Sequence, residues 1–335
     1  MATGVANRGR VTDKEMGRRL LLGLFFGFVV VLGLLFYADL SAVRHALGRF
    51  TWAYLPLILG LTAMNYLLRF VKWHYYLRLV GVRALSWRES LAIFLAGFSM
   101  TPTPAKAGEA VKAYWLKQMA GTPVARTLPV VMAERLSDGL AMLLLASAGI
   151  LAYPAYRPLF AVVLGVLGAG ILLVQARPLA LRLLMLLERL PLVARFGHSL
   201  RAFYESCFRL LRLRPLLLAV GLGTISWAGE GVAFYLVLVG LGLSASPTLL
   251  FQAIFILAFS TIIGAVSTLP GGLGAAEVSL GAMLQLLVGL ERGLAGTATL
   301  MIRLGTLWFG VLLGLLVLAR YHRQLFGARG VRGGR

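Results

Sequence analysis

The sequence predicts an all-α polytopic membrane protein with six full spans and two re-entrant helical hairpins in an inverted-topology repeat. Three observations predict it. Of the 335 residues, 59% are hydrophobic and 13% charged, against roughly 25% charged in an ordinary soluble domain. Uncharged windows recur at about the 20-residue length that a helix needs to cross hydrocarbon. The few ionisable residues inside those windows fall in a pattern that occurs twice. Together with a mean hydropathy of +0.86, these features exclude a cytosolic globular enzyme, a nucleic-acid-binding domain and a disordered chain. The single cysteine, Cys207, excludes an intrachain disulfide and a multi-thiolate metal site.

Taken in order, Leu20–Ala38 and Phe50–Leu68 are long and uncharged, and Pro158–Ala176 is a third such window. Thr127–Tyr153 is broken only by Glu134, Arg135 and Asp138. Pro215–Leu241 carries Glu230 alone, and Leu294–Ala319 carries Arg303 alone. The first window follows a basic stretch as a signal peptide would, but its 19 residues exceed the usual h-region of about 7–15 and no clean cleavage site follows. It reads as a retained span.

Two further apolar stretches read as hairpins. Ser90–Met100 is short and meets Thr101-Pro-Thr-Pro104 before Ala105–Met119; Thr248–Thr268 meets Pro270-Gly-Gly-Leu-Gly274 before Ala275–Leu290. Pro and Gly end helices and free backbone groups, which at membrane depth must face protein or a wet cavity. Two ordinary kinked spans on each side are the alternative reading.

Charge sets the orientation. With both hairpins returning to the side they entered from, 27 Lys and Arg fall on the side of the N-terminus, among them Arg69, Lys72 and Lys112, and four on the other: Arg44, Arg49, Arg157 and Arg292. This is the positive-inside bias. It predicts a multi-pass protein of a bacterial-type inner membrane with both termini cytoplasmic, and it absorbs most of the formal charge of +21. Residues 1–19 then form a basic cytoplasmic N-terminus, 20–320 the transmembrane domain and 321–335 a basic disordered tail. Within the domain, residues 177–214, with eight arginines and two glutamates, predict amphipathic helices at the inner surface; a plain topology-setting loop is the other reading. Trp52, Tyr54, Trp73, Tyr75, Tyr76 and Trp87 fit interfacial anchors.

The internal charges point to function, because an ionised group in hydrocarbon costs a few kcal/mol and needs a partner. Glu109 follows the first tip and Arg135 comes 26 residues later; Glu277 follows the second tip and Arg303 also comes 26 residues later. Both tips contain Pro-x-x-x-Gly, Pro104 to Gly108 and Pro270 to Gly274. Ser99, Thr101 and Thr103 precede the first break, Ser267 and Thr268 the second. Inverted repeats place a substrate site at the repeat interface. A broken tip offers free N–H groups to an anion, and Gly271, Gly272 and Gly274 permit close backbone approach. Arg135 and Arg303 can fork onto phosphate oxygens in one central cavity, and Glu134 and Asp138 share the polar face with Arg135. The Glu–Arg pairs admit two readings, a headgroup grip that opens and closes or permanent ties between hairpin and span. Glu230 lines the cavity or bonds within the bundle. No metal-ligand spacing, cofactor motif or catalytic motif is present, so a transporter is expected rather than an enzyme.

The stretches Thr101-Pro-Thr-Pro-Ala-Lys-Ala-Gly-Glu109-Ala-Val-Lys112, Glu134-Arg-Leu-Ser-Asp138 and Leu269-Pro-Gly-Gly-Leu-Gly-Ala-Ala-Glu277 resemble the lysylphosphatidylglycerol synthase transmembrane (flippase-like) family over residues 20–320. The resemblance implies movement of a phosphate-bearing phospholipid, or of a polyprenyl-phosphate-linked lipid, between leaflets. No soluble aminoacyl-transferase domain is read in these residues, so synthesis of the lysyl lipid itself is not expected. The expected partner is a membrane lipid with an anionic or zwitterionic headgroup, and homo-oligomerisation stays open. A small-solute transporter and an integral-membrane glycolipid enzyme using Glu134 and Asp138 are the rival readings.

Overall fold

In the computed structural model the described residues are 21, 25, 28–33, 39–103, 108–188 and 197–326. They form an all-α polytopic membrane fold, with no strand among them. The basic N-terminus, most of the first window (Leu20–Ala38), Pro104 of the first tip and the tail beyond residue 326 lie outside the described residues, as do residues 189–196 of the arginine-rich segment.

Helix α1 (Leu40–Arg49) precedes a long α2 (Leu55–Leu79), started by Pro56 in its first turn. Ser86 and Glu89 cap α3 (Trp87–Ala96) reciprocally: the Glu89 N–H donates to Ser86 Oγ at 3.2 Å and the Ser86 N–H to Glu89 Oε2 at 3.0 Å. After the first tip, α4 (Val111–Ala120) ends at Gly121, whose φ of 66° reverses the chain. Next come α5 (Val124–Ala152), α6 (Arg157–Gln175), α7 (Arg177–Glu188), α8 (Gly197–Leu210) and α9 (Leu213–Gly240). Ser246 caps α10 (Pro247–Val266). The second tip leads into α11 (Ala275–Met283) and a π-helical turn at Leu284–Val288. Finally, α12 (Arg292–Arg303) passes through a second π-helical turn, Leu304–Trp308, into α13 (Phe309–Phe326).

Among the described residues, six helical stretches are long and apolar enough to cross a membrane: Trp52–Leu79, Arg157–Gln175, Leu213–Gly240, Pro247–Val266, Pro270–Val288 and Arg292–His322. The helix limits correct the sequence reading in one place. The second window does not stop at Leu68; the helix carries on to Leu79 with Arg69 and Lys72 buried inside the protein, so these two do not mark a surface. Lys112 is also fully buried. Moreover, α10 alone, at 20 residues, has the length of a span, and so does Pro270–Val288 at 19. On either side of the first tip, α3 and α4 have 10 residues each, roughly 15 Å of helix.

Helix α9 is the central post, packed against α2, α5 and α10. Two apolar cores lie along the bundle. On α5, Val130, Val131 and Ala133 belong to one core, while Met142, Leu143 and Ala146 belong to the other. Glu134, Arg135 and Asp138 occupy the interval between them. Trp73 and Tyr76, expected at an interface, are fully buried in the first of these cores; Trp52 and Trp87 are about half exposed.

The two tips meet. The Gly271 N–H donates to the Thr103 carbonyl oxygen at 3.1 Å, and a Cβ on Gly271 would lie 3.3 Å from the Thr101 carbonyl oxygen. Gly272, at φ 70°, is pressed onto α10, where an added Cβ would come within 3.0 Å of the Gly264 Cα. Gly272→Ala is therefore expected to lower stability by about 1–3 kcal/mol through the left-handed backbone and the close approach. Gly168→Ala on α6, where nothing lies within 4 Å, is expected to be neutral or stabilising by up to about 1 kcal/mol. Thermal unfolding in detergent compares the two.

Candidate functional site

Seven ionised side chains from three segments form one buried network beside the first tip. Arg69 and Lys72 come from α2, Glu109 from the turn just before α4 and Lys112 from α4 itself, and Glu134, Arg135 and Asp138 from α5. Lys72 Nζ lies 2.5 Å from Asp138 Oδ1, and Lys112 Nζ lies 2.9 Å from Glu134 Oε2 and 3.4 Å from Glu109 Oε2. Arg69 bridges Glu134 at 3.2 Å and Asp138 at 3.6 Å. Arg135 Nη2 meets Glu109 Oε2 at 2.5 Å and lies 3.6 Å from Glu134 Oε1.

Local packing makes room for this. The Lys112 stem lies on Gly97, where a Cβ would come within 2.7 Å of its Cδ, and its ammonium sits 4.7 Å from the Trp73 ring centre. Arg69 stacks between aromatic faces, its guanidinium carbon 5.4 Å from the Phe98 centroid and 5.5 Å from that of Trp227. Among the described residues the network holds four cations against three carboxylates. Arg135 is its most accessible member, with 27% of the side chain exposed, whereas Lys72, Lys112 and Glu134 have none.

The second half keeps a simpler pair. Arg303 Nε lies 2.5 Å from Glu277 Oε1. The other oxygen of Glu277 accepts the Gly274 N–H at 2.6 Å, so the carboxylate caps its own helix as well. Arg303 is the residue before the π-helical turn, in which the Thr306 carbonyl accepts the Tyr66 hydroxyl at 2.5 Å. A π-turn displaces carbonyls from the helical ladder, and Tyr66 satisfies this one.

Both 26-residue Glu–Arg spacings thus become direct ion pairs. Thr101 donates to Glu109 at 3.2 Å, and the Gly108 N–H donates to Thr103 Oγ1 at 2.8 Å; a Cβ on Gly108 would lie 2.7 Å from that oxygen. The Ser99 hydroxyl is turned away, buried and donating to the Ala96 carbonyl at 2.7 Å. Arg135 and Arg303 line adjoining cavities. Arg135 and Asp138 line a cavity of about 450 Å³ whose remaining walls are mostly apolar, including Leu159, Val163 and Leu167 of α6 and Leu269 and Gly272 of the second tip. Arg303 lines a chamber of about 80 Å³ with Asn65, Tyr66, Arg69 and Glu230. Trp227 and Thr261 border both.

Arg69, Lys72 and Lys112 escape the sequence reading as site residues because each reads as a topology marker, Arg69 and Lys72 just past the end of an apolar window and Lys112 within the short helix after the first tip. The signal that finds them is helical spacing: Arg69 and Lys72 are three apart and fall on one face.

The Arg303–Glu277 pair offers a clean energetic test. Glu277→Leu strands a largely buried guanidinium and is expected to cost about 3–5 kcal/mol, whereas Glu277→Leu with Arg303→Met recovers most of that loss. Apparent unfolding midpoints of the two variants measure it; equal losses would mean that the pair is not coupled.

Among known proteins, the family model described as the lysylphosphatidylglycerol synthase TM region matches residues 24–314. A UPF0104 membrane protein of Pyrococcus horikoshii is 22% identical over 329 residues, covering 90% of this chain and 97% of that protein. A UPF0104 membrane protein of Methanothermobacter thermautotrophicus is 28% identical over 240 residues, covering 66% of this chain and 70% of that protein. With the matching model spanning most of its length, this multi-pass membrane protein belongs to the lysylphosphatidylglycerol synthase TM region family.

Proposed function

We propose that the protein is a lipid translocase that moves a phosphate-bearing lipid between leaflets. The observation that carries this reading is the position of Arg135, the accessible end of a network with one cation in excess, inside a cavity whose other walls are mostly apolar. A guanidinium there forks onto phosphate oxygens, while an acyl or prenyl chain lies along Leu159, Val163 and Leu167 of α6. Helix α6 has no buried residue along its length, which suits a wall that lipid passes. A small polar solute would gain little from such walls, and this favours a lipid over a solute as cargo.

In this reading the segments around the two tips enter the membrane from opposite sides as an inverted repeat and meet at the contact between Gly271 and Thr103. The arginine-rich side then faces the cytoplasm. Glu134 and Asp138 act as counter-ions that hold the cations in place. Their pairing with Lys112, Arg69 and Lys72 favours that role over acid/base chemistry on a glycolipid.

Arg135→Lys keeps the charge and loses the planar fork. It is expected to slow leaflet exchange of a fluorescent phosphatidylglycerol in proteoliposomes by about tenfold or more, equivalent to roughly 1.4 kcal/mol. Exchange at the wild-type rate by a correctly folded Arg135→Lys variant would remove this residue from headgroup recognition. Absence of exchange by the wild type with any phosphate-bearing lipid would sink the translocase reading.

A further inference from the structure

We infer that the arginine-rich segment carries a second lipid site, in which Arg177 and Arg212, gathered on the Phe208 ring, seat the phosphodiester of an anionic phospholipid. This site stands apart from the translocase reading and does not depend on it. Depth in the membrane is the first observation. Helix α6 has 19 residues and none of them is buried, so its whole length runs through lipid. That length is roughly 28 Å, close to the roughly 30 Å of a hydrocarbon core. Arg177 follows just beyond its end and so stands at the level of the lipid phosphates. Leu167, the α6 residue on the wall of the Arg135 cavity that comes nearest to it along the chain, is about 15 Å of helix away.

Local contacts build the seat. The Tyr204 hydroxyl donates to the Val174 carbonyl oxygen at 3.2 Å, and the Gln175 side-chain amide donates to the Phe208 carbonyl oxygen at 3.4 Å. Arg177 Nη2 lies 2.9 Å from Glu205 Oε1. These three contacts tie the end of α8 to the end of α6. The guanidinium carbons of Arg177 and Arg212 each lie 5.3 Å from the Phe208 ring centre, so one aromatic face holds both forks in place. Arg212 meets no carboxylate among the described residues. Two guanidinium groups on one ring repel each other, and Glu205 offsets one of them. A phosphodiester brings the second negative charge and the oxygens that accept from both forks.

The apolar surface beside the seat selects a lipid over a free anion. On α7, Leu179, Leu183 and Leu186 fall on one helix face, and all three are exposed, as are Leu172 and Leu173 near the end of α6. Among the side chains described in residues 177–214, six arginines are exposed: Arg177, Arg182, Arg201, Arg209, Arg212 and Arg214. Glu205 is the one carboxylate described with them. An exposed leucine face bordered by that charge matches an anionic leaflet, which offers chains to the leucines and phosphates to the arginines together. Inorganic phosphate satisfies the arginines and leaves the leucines uncovered.

The test is native mass spectrometry of the full-length protein in a neutral detergent, with dioleoylphosphatidylglycerol and dioleoylphosphatidylcholine in competition. It reads the number of bound lipids and the oligomeric state together. Arg177→Gln with Arg212→Gln should hold one phosphatidylglycerol fewer than the wild type, its affinity for that lipid falling about tenfold or more. Arg135→Lys should keep this lipid, which separates the site from the translocation cavity. Phe208→Leu keeps the charge and the apolar bulk but removes the ring, and should weaken the same lipid by about threefold or more. Arg83→Gln with Arg88→Gln, which removes the same charge at two other exposed positions, should leave it in place. Thermal unfolding in lipid-free detergent confirms that each variant is folded. Equal losses in the two double variants, or full binding by Phe208→Leu, would reduce the site to attraction by net charge and overturn the proposal. Displacement of the lipid by inorganic phosphate at equal concentration would make it a seat for free anions and overturn it too. A lipid count unchanged in Arg177→Gln with Arg212→Gln, alongside loss of a dimer, would assign the surface to a second copy of the chain instead.

Discussion

Ionised groups held in the middle of a hydrocarbon-spanning bundle must find counter-ions within the protein, since lipid offers none. That constraint organises the architecture around the first tip. Lys72 and Lys112 are wholly buried, and their ammonium groups reach Asp138 and Glu134 only if α2 and α4 both lie against the same turn of α5. Glu109 then reaches Arg135 across 26 residues of sequence. Removing any single partner leaves a buried charge at a cost of several kcal/mol, so the network fixes how α4 sits on the bundle. Among the described residues it also leaves one cation in surplus, on which the proposed binding of a lipid phosphate rests.

The second half solves the same problem with less. Glu277 caps α11 through the Gly274 N–H and pairs with Arg303, so one carboxylate serves a helix start and an ion pair together. The two halves are thus unequal. The tips correspond, both glutamates reach their arginines, and backbone meets backbone at Gly271 and Thr103. Only the first half, however, brings extra cations and opens onto the larger, apolar-walled cavity. In this account the Arg135 side receives lipid.

Much of this was legible in the sequence, and the reasons are specific. The Glu109–Arg135 and Glu277–Arg303 pairs stood out because the whole chain has only 12 acidic residues, so a repeated spacing against a nearly uncharged background carries information. The breaks at the tips were legible because Pro and Gly have few other uses at that density. The helix limits were read less well where charge interrupts an apolar run. A hydropathy window ends at Leu68, but the backbone has no reason to stop there, and α2 continues to Leu79 with Arg69 and Lys72 turned into the core. Spacing along the chain also could not show that Trp227 and Thr261 divide the arginine environments in two, because that partition depends on how α9 and α10 pack. Ser99 shows the same limit: its proximity to the tip suggested a ligand, and a hydrogen bond to Ala96 one turn back takes its hydroxyl away.

The central claim is that the surplus cation of the buried network, Arg135, holds a lipid phosphate within the protein. The most direct measurement is the dipolar coupling between lipid phosphorus and labelled arginine side-chain nitrogens, by solid-state magnetic resonance on the protein reconstituted in phosphatidylglycerol bilayers. The account predicts a short phosphorus–nitrogen contact that is lost when Arg135 is replaced by lysine. Arginine signals with no coupling to phosphorus, or a contact unchanged by that replacement, would contradict it.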